Sequence, residues 1–180
     1  LKPADILFLL RLIYNYFLIK AKQQKLKRTA RIVYNQQDME LAEQIKNKAV
    51  ELGFDLAGVT DASPIDAGEV QFLSDWLAGG LAAQMYYMHR NFQKRINPAN
   101  LLKNAKSVIV VGLNFKPPKL PSLKTKAPAG RIAGYAQFED YHLFIKKTLC
   151  ELADFITSVV AERPRFKICV DSAPLAERAL

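Results

Sequence analysis

The chain has 180 residues, half of them apolar and 24% charged, an ordinary globular composition with enough length for one domain and a real core. Its formal net charge is +9, and its only cysteines are Cys150 and Cys169. Their spacing excludes a paired-cysteine metal or redox motif and fits a cytosolic protein with reduced thiols.

Residues 1 to 36 hold eight Lys and Arg against the single acid Asp5, a net +7, which leaves only +2 for the remaining 144 residues. The run ILFLLRLIYNYFLIK, from Ile6 to Lys20, is apolar but interrupted by Arg11 and Asn15. It is too short for a membrane span, which wants about 18 clean apolar residues. As a signal peptide its charge stands on the wrong side of the apolar run. An interfacial amphipathic helix is one option. The preferred expectation is that residues 1–36 form a basic and apolar extension outside the fold, with residues 37–180 making the domain.

DMELAEQIKNKAVELGF places Leu41, Ile45, Ala49 and Leu52 at helical spacing, with Asp38 as expected N-cap and Gly53 as stop. FDLAGVT predicts a short strand, and SPIDAGEV is turn chemistry leading into a helix through Leu73, Trp76 and Leu77. SVIVVGLNF, Ser107 to Phe115, is a continuous apolar, β-branched run of the kind a strand covered on both faces requires. KPPKLPSLKTKAPAG, Lys116 to Gly130, predicts an irregular loop with four prolines and four lysines. DYHLFIKKTLCELADFITSVVAE predicts a long amphipathic helix capped by Asp140, and RFKICVD a last strand. Alternating strands and helices predict a layered α+β or α/β domain.

Several chemistries are absent. No GxGxxG, GxxxxGK or HExxH occurs, and His89 and His142 are too far apart in the chain to suggest a histidine metal site. Ser172 lacks the glycine-flanked elbow of a serine nucleophile. From Arg90 to Arg131 there are ten basic residues and no acid, a candidate phosphate-facing surface or simply a solvated one.

Three stretches remain. MYYMHRNFQKRINPANLL sets aromatics and methionines beside Arg90, Lys94 and Arg95; a core helix edge formed by Met85, Tyr86 and Met88 before a basic turn is the plainer reading. GRIAGYAQFEDYH has Gly130 and Gly134, which permit close backbone approach to a ligand, while Asp140 suits a helix cap and His142 a structural role in its first turn. CVDSAP delivers Asp171 at the carboxyl end of a strand, where ligands commonly sit in layered sheets. A carboxyl enclosed there by apolar surface suits proton donation. The alternative is that Asp171 or Ser172 only caps a helix begun by Pro174.

In order and spacing, LAEQIKNKAVELGFDLAGVTDA, MYYMHRNFQKRINPANLLKNAKSVIVVGLNF, YAQFEDYH and VDSAPLAERAL resemble the amino-terminal half of the epoxyqueuosine reductases, from about Asp38 to Leu180. The KRxxPxxLL turn and the VDSAPLAERA ending are the specific parts. That resemblance implies an α+β, nitroreductase-like layered domain that is incomplete at its carboxyl end. It implies an oxidoreductase of tRNA modification, removing the epoxide oxygen of epoxyqueuosine with cobalamin and two four-iron four-sulfur clusters. By the same resemblance Arg95, Ala133 and Asp171 fall at corrinoid-contacting positions, and Asp171 on the proton donor. The implied partner is a tRNA with a queuosine-type anticodon; the implied enzyme is cytoplasmic, monomeric and free of membrane.

Gly134 precedes Tyr135 where relatives commonly carry Arg, and Phe138-Glu139 replaces a Gly-basic pair. The chain reads as a fragment, expected to be inactive alone, because two cysteines cannot supply the four thiolates of one cluster. A non-catalytic corrinoid- or flavin-binding module and a basic tRNA-binding domain are the rival readings.

Overall fold

The computed structural model describes residues 5–12, 36–114, 130, 136, 139–171 and 173–176. The elements are β1 (Asp5–Leu12), α1 (Gln36–Glu51), β2 (Leu56–Asp61), α2 (Ala67–Ala78), α3 (Tyr86–Arg90), α4 (Phe92–Ile96), a 3-10 turn (Pro98–Asn100), β3 (Ala105–Leu113), α5 (Tyr141–Val159) and β4 (Phe166–Val170). The strands form one sheet in the order β2-β3-β1-β4. β2 is antiparallel to β3, whereas β3 and β4 each run parallel to β1. Helices and a small mixed sheet make this an α+β arrangement.

One expectation is corrected here. Residues 1–36 were expected outside the fold, yet Asp5–Leu12 forms an interior strand that bridges β3 and β4. DILFLLRL has the apolar character that an interior strand demands, and its pairings are long-range, so no local pattern announces them. Residues 13–35 lie outside the described residues.

α1 and α5 supply the layer on one face. Ile45 and Ala49 of α1 pack with Ile145, Leu149, Leu152 and Ile156 of α5 against Ile109, Val111 and Val170 of the strands. The four α5 side chains are fully buried, each worth roughly 1.5–3 kcal/mol over exposure. On the other face Ala62, Val108, Cys169 and Leu175 form a smaller cluster. β3 therefore has buried side chains on both faces, as its unbroken apolar run predicts.

α1 begins two residues before the expected cap, leaving Asp38 within its first turn. It stops where predicted. Gly53 takes φ +100°, and Phe54 N donates to Ala49 O at 3.1 Å, an ending that a side-chain-bearing residue would strain. Asp66 caps α2 by accepting from Gly68 N at 2.8 Å. The 116–129 segment of the proline- and lysine-rich loop lies outside the described residues.

Asp140 caps α5 as its sequence position predicts, accepting from His142 N at 2.9 Å and meeting His142 Nδ1 at 2.7 Å. The His142 backbone N–H first, and its ring second, hold this carboxyl below the usual aspartate range. A depressed carboxylate contributes stability that is present above the ordinary value of about 3.9 and is lost as pH falls through the folded value. Asp140→Asn keeps a capping oxygen but cannot titrate. Its stability should fall less steeply than wild type when urea midpoints are followed below about pH 4. Parallel slopes would mean that the cap is not coupled to pH.

Candidate active site

Two of the sequence-predicted site residues meet. Arg95, in α4, and Asp171, the residue after β4, line one cleft of about 540 Å³. Tyr87, Met88 and Asn91 form its wall beside Arg95, and Ala173, Pro174 and Leu175 continue it from Asp171. Ala133, the third predicted residue, lies outside the described residues, as does Ser172.

The KRxxPxxLL turn is built by local hydrogen bonds. Asn97 Oδ1 accepts from Ala99 N at 3.0 Å, and Asn100 Nδ2 donates to Gln93 O at 2.8 Å, closing the turn back on α4. Pro98 stands at the first position of the 3-10 turn, where its missing N–H costs nothing, and is buried. Ile65 N donates to Ile96 O at 3.0 Å, which ties the turn to the segment leading into α2. Ala176 N donates to Arg95 O at 3.2 Å. That last bond joins the two most specific sequence motifs directly.

Within the cleft, the Arg95 guanidinium lies 5.8 Å from the Tyr87 ring centroid, a cation–π contact that limits the wandering of a long side chain. Asp171 adopts φ +50°, a left-handed conformation that Asp and Asn tolerate better than most residues. Its Oδ2 accepts from the Tyr141 hydroxyl at 2.5 Å. The carboxyl is exposed, not enclosed by apolar surface, because β4 runs from buried Cys169 and Val170 out to the surface at this residue. Residues 173–176 are not helical, so no helix begins at Pro174 among the described residues.

The plainer reading of MYYMHR as a core helix edge also fails. Tyr86 and Tyr87 are 68% and 51% exposed, and Met85 is exposed beside them. Arg90 and Lys94 are exposed on the same short helices, as are Lys103 and Lys106 further along. Of these stretches Tyr87, Met88, Asn91 and Arg95 line the cleft, and Tyr86, Arg90 and Lys94 are exposed rather than filling a core.

Tyr141 and Tyr87 are the site residues that sequence reasoning missed. Tyr141 stands in the FEDYH stretch already singled out, but only the packing of α5 against β4 brings its hydroxyl to Asp171. No group of three His, Cys, Asp or Glu side chains able to hold a metal occurs among the described residues. Cys150 is exposed and Cys169 buried, and two thiols do not fit an iron–sulfur cluster. A corrinoid brings its own cobalt and ring donors, so it needs polar and stacking edges instead of metal ligands. Arg95, Asp171 and Tyr87 fit that requirement. No helix among the described residues is long and apolar enough to cross a membrane.

Comparison with known proteins points the same way as the motifs. Residues 95–172 match the protein family described as epoxyqueuosine reductase QueG, DUF1730. The epoxyqueuosine reductase of Cyclobacterium marinum is 36% identical over 134 residues, which are 74% of this chain and 42% of that protein. The solved structure of epoxyqueuosine reductase from Streptococcus thermophilus superposes with a TM-score of 0.59 at 28% identity, covering 76% of this chain and 38% of that one. A crystal structure of an epoxyqueuosine reductase with an epoxyqueuosine-modified tRNA-Tyr stem loop superposes with a TM-score of 0.56 at 27% identity, covering 78% and 37%. The chain therefore spans less than half the length of the curated relatives it matches.

Proposed function

Since the chain is a relative of the epoxyqueuosine reductases, we propose that it forms the cobalamin-facing part of an enzyme that reduces epoxyqueuosine to queuosine in tRNA. The observation that carries this reading is the convergence of Arg95 and Asp171 on one cleft. Residues 37–180, with β1, form part of a nitroreductase-like layered domain. The two four-iron four-sulfur clusters belong to other parts of an enzyme of the relatives' length. The setting is cytoplasmic and the enzyme monomeric.

Deoxygenating an epoxide to an alkene takes up two electrons and two protons and releases water. Bound reduced cobalamin supplies the electrons or the nucleophile for that opening. The chain's own residues handle position and protons. Arg95 presents a fixed positive charge, stiffened by Tyr87, to the polar rim of the corrinoid. Asp171 delivers a proton to the oxygen as its bond to carbon breaks, which avoids a free alkoxide. Tyr86, Arg90 and Lys94 are all exposed and offer a nucleic-acid partner a stacking face and phosphate-binding charges.

The test is an absorbance titration of the 180-residue chain with hydroxocobalamin. Saturable spectral change is expected, and Arg95→Ala should weaken binding by about tenfold, the loss of roughly 1.4 kcal/mol. A silent titration with wild type would remove the corrinoid reading, and saturable binding of flavin in its place would favour a flavin module.

A further inference from the structure

Tyr141 is the first residue of α5, and its hydroxyl crosses to the end of β4 to donate to Asp171 Oδ2 at 2.5 Å. That length stands at the short end of the range for a hydroxyl donating to a carboxylate, about 2.5–2.7 Å. The Tyr141 ring is itself restrained. It stacks on the His142 ring with centroids 4.2 Å apart and an interplanar angle of 23°, and Asp140 anchors His142 through both its backbone N–H and its Nδ1. A run of contacts therefore leads from the cap of α5 to the carboxyl at the cleft. At the other end Asp171 sits in a left-handed backbone conformation, which sets the direction its side chain leaves the strand.

We propose that Tyr141 is a positioning residue for the proton donor. Its hydroxyl holds Oδ2, which leaves Oδ1 of Asp171 to carry the transferable proton. When that proton moves, the O–H bond at Oδ1 breaks and a new O–H bond forms on the epoxide oxygen as its C–O bond breaks. The electrons come from the reduced cofactor of the proposed reaction, on which this inference rests. The Tyr141 bond strengthens as Asp171 becomes a carboxylate, so it favours the state that follows proton donation. An exposed aspartate without such a partner would sample several rotamers and lose orientation, to which catalysis is sensitive.

The experiment compares Tyr141→Phe, Asp171→Asn and the double variant in the intact cobalamin-loaded enzyme, by single-turnover conversion of epoxyqueuosine-containing tRNA. Phe retains the ring and its stacking on His142. Tyr141→Phe is expected to lower the rate about 10- to 100-fold, the usual cost of a hydrogen bond to a charged group, with KM for tRNA and the cobalamin spectrum unchanged. In the Asp171→Asn background the same change should cost nothing further, because two residues that act as a unit are not additive. If Asp171→Asn is inactive, a wild-type rate in Tyr141→Phe overturns this inference alone. Equal losses in both backgrounds, or a Tyr141→Phe chain that no longer folds, also overturn it by assigning the hydroxyl a structural role. A fully active Asp171→Asn enzyme overturns the proton-donor reading and the inference together.

Discussion

Deleting residues 1–12 should abolish cooperative unfolding of the chain, and Leu9→Pro alone should cost several kcal/mol. β1 pairs at eight positions with β3 and at five with β4, so it connects the two strands of the sheet that lie on either side of it. Among the described residues β4 has its strand pairing only with β1. Removal leaves backbone donors and acceptors of β3 and β4 without partners, each costing about 1–3 kcal/mol where water does not reach. Leu9 is the sharpest point of attack, because it stands level with Val110 on one side and Cys169 on the other. Proline there removes a ladder N–H and does not belong in an interior strand. Against a total stability on the order of 5–15 kcal/mol, either change is severe. Urea denaturation followed by near-ultraviolet circular dichroism measures it. A deletion chain that unfolds sharply at the wild-type midpoint would return the amino-terminal stretch to the outside of the fold.

The features legible in the sequence are those set by neighbours along the chain. α5 was readable from apolar spacing and from Asp140, and it runs from Tyr141 to Val159 with that residue as its cap. Gly53 could be read as a stop because a left-handed helix ending favours glycine. β3 was readable as doubly covered because seven of its residues, from Ser107 to Leu113, are apolar or small in one run, and Val108, Ile109 and Val111 are indeed buried. Features set by distant neighbours were not. β1 lies in a stretch whose basic character drew attention to solvent, while its partners stand near residues 105 and 166. The exposure of Tyr86 is a similar case, since helical spacing finds an apolar residue but not the absence of anything packed over it. At the site, motif resemblance supplied Arg95 and Asp171 singly. Their sharing of a cleft depends on the Ala176 to Arg95 bond and on where β4 ends, neither of which has a local signature.

Asp171→Asn in the intact enzyme should leave cobalamin binding in place and lower turnover of epoxyqueuosine-containing tRNA by roughly 100- to 10,000-fold, the usual contribution of a general acid. The substitution isolates the proton. Asn matches Asp in size and also tolerates the left-handed backbone at φ +50°, so the strand exit is kept. Its amide oxygen can still accept from the Tyr141 hydroxyl, which preserves the contact between α5 and β4. Asp171→Ala is a poorer probe, since it deletes that acceptor and adds backbone strain of about 1 kcal/mol. Only the acidic proton is missing from Asn, and an amide hydrogen bond cannot replace its transfer to an oxygen that is becoming an alkoxide. Cobalamin affinity, read by absorbance, separates this from loss of the cofactor. Wild-type turnover by the Asn variant at neutral pH would make Asp171 a strand-end residue whose partner is Tyr141 and whose role ends there, and the proton would have to reach the substrate oxygen from solvent or from the tRNA.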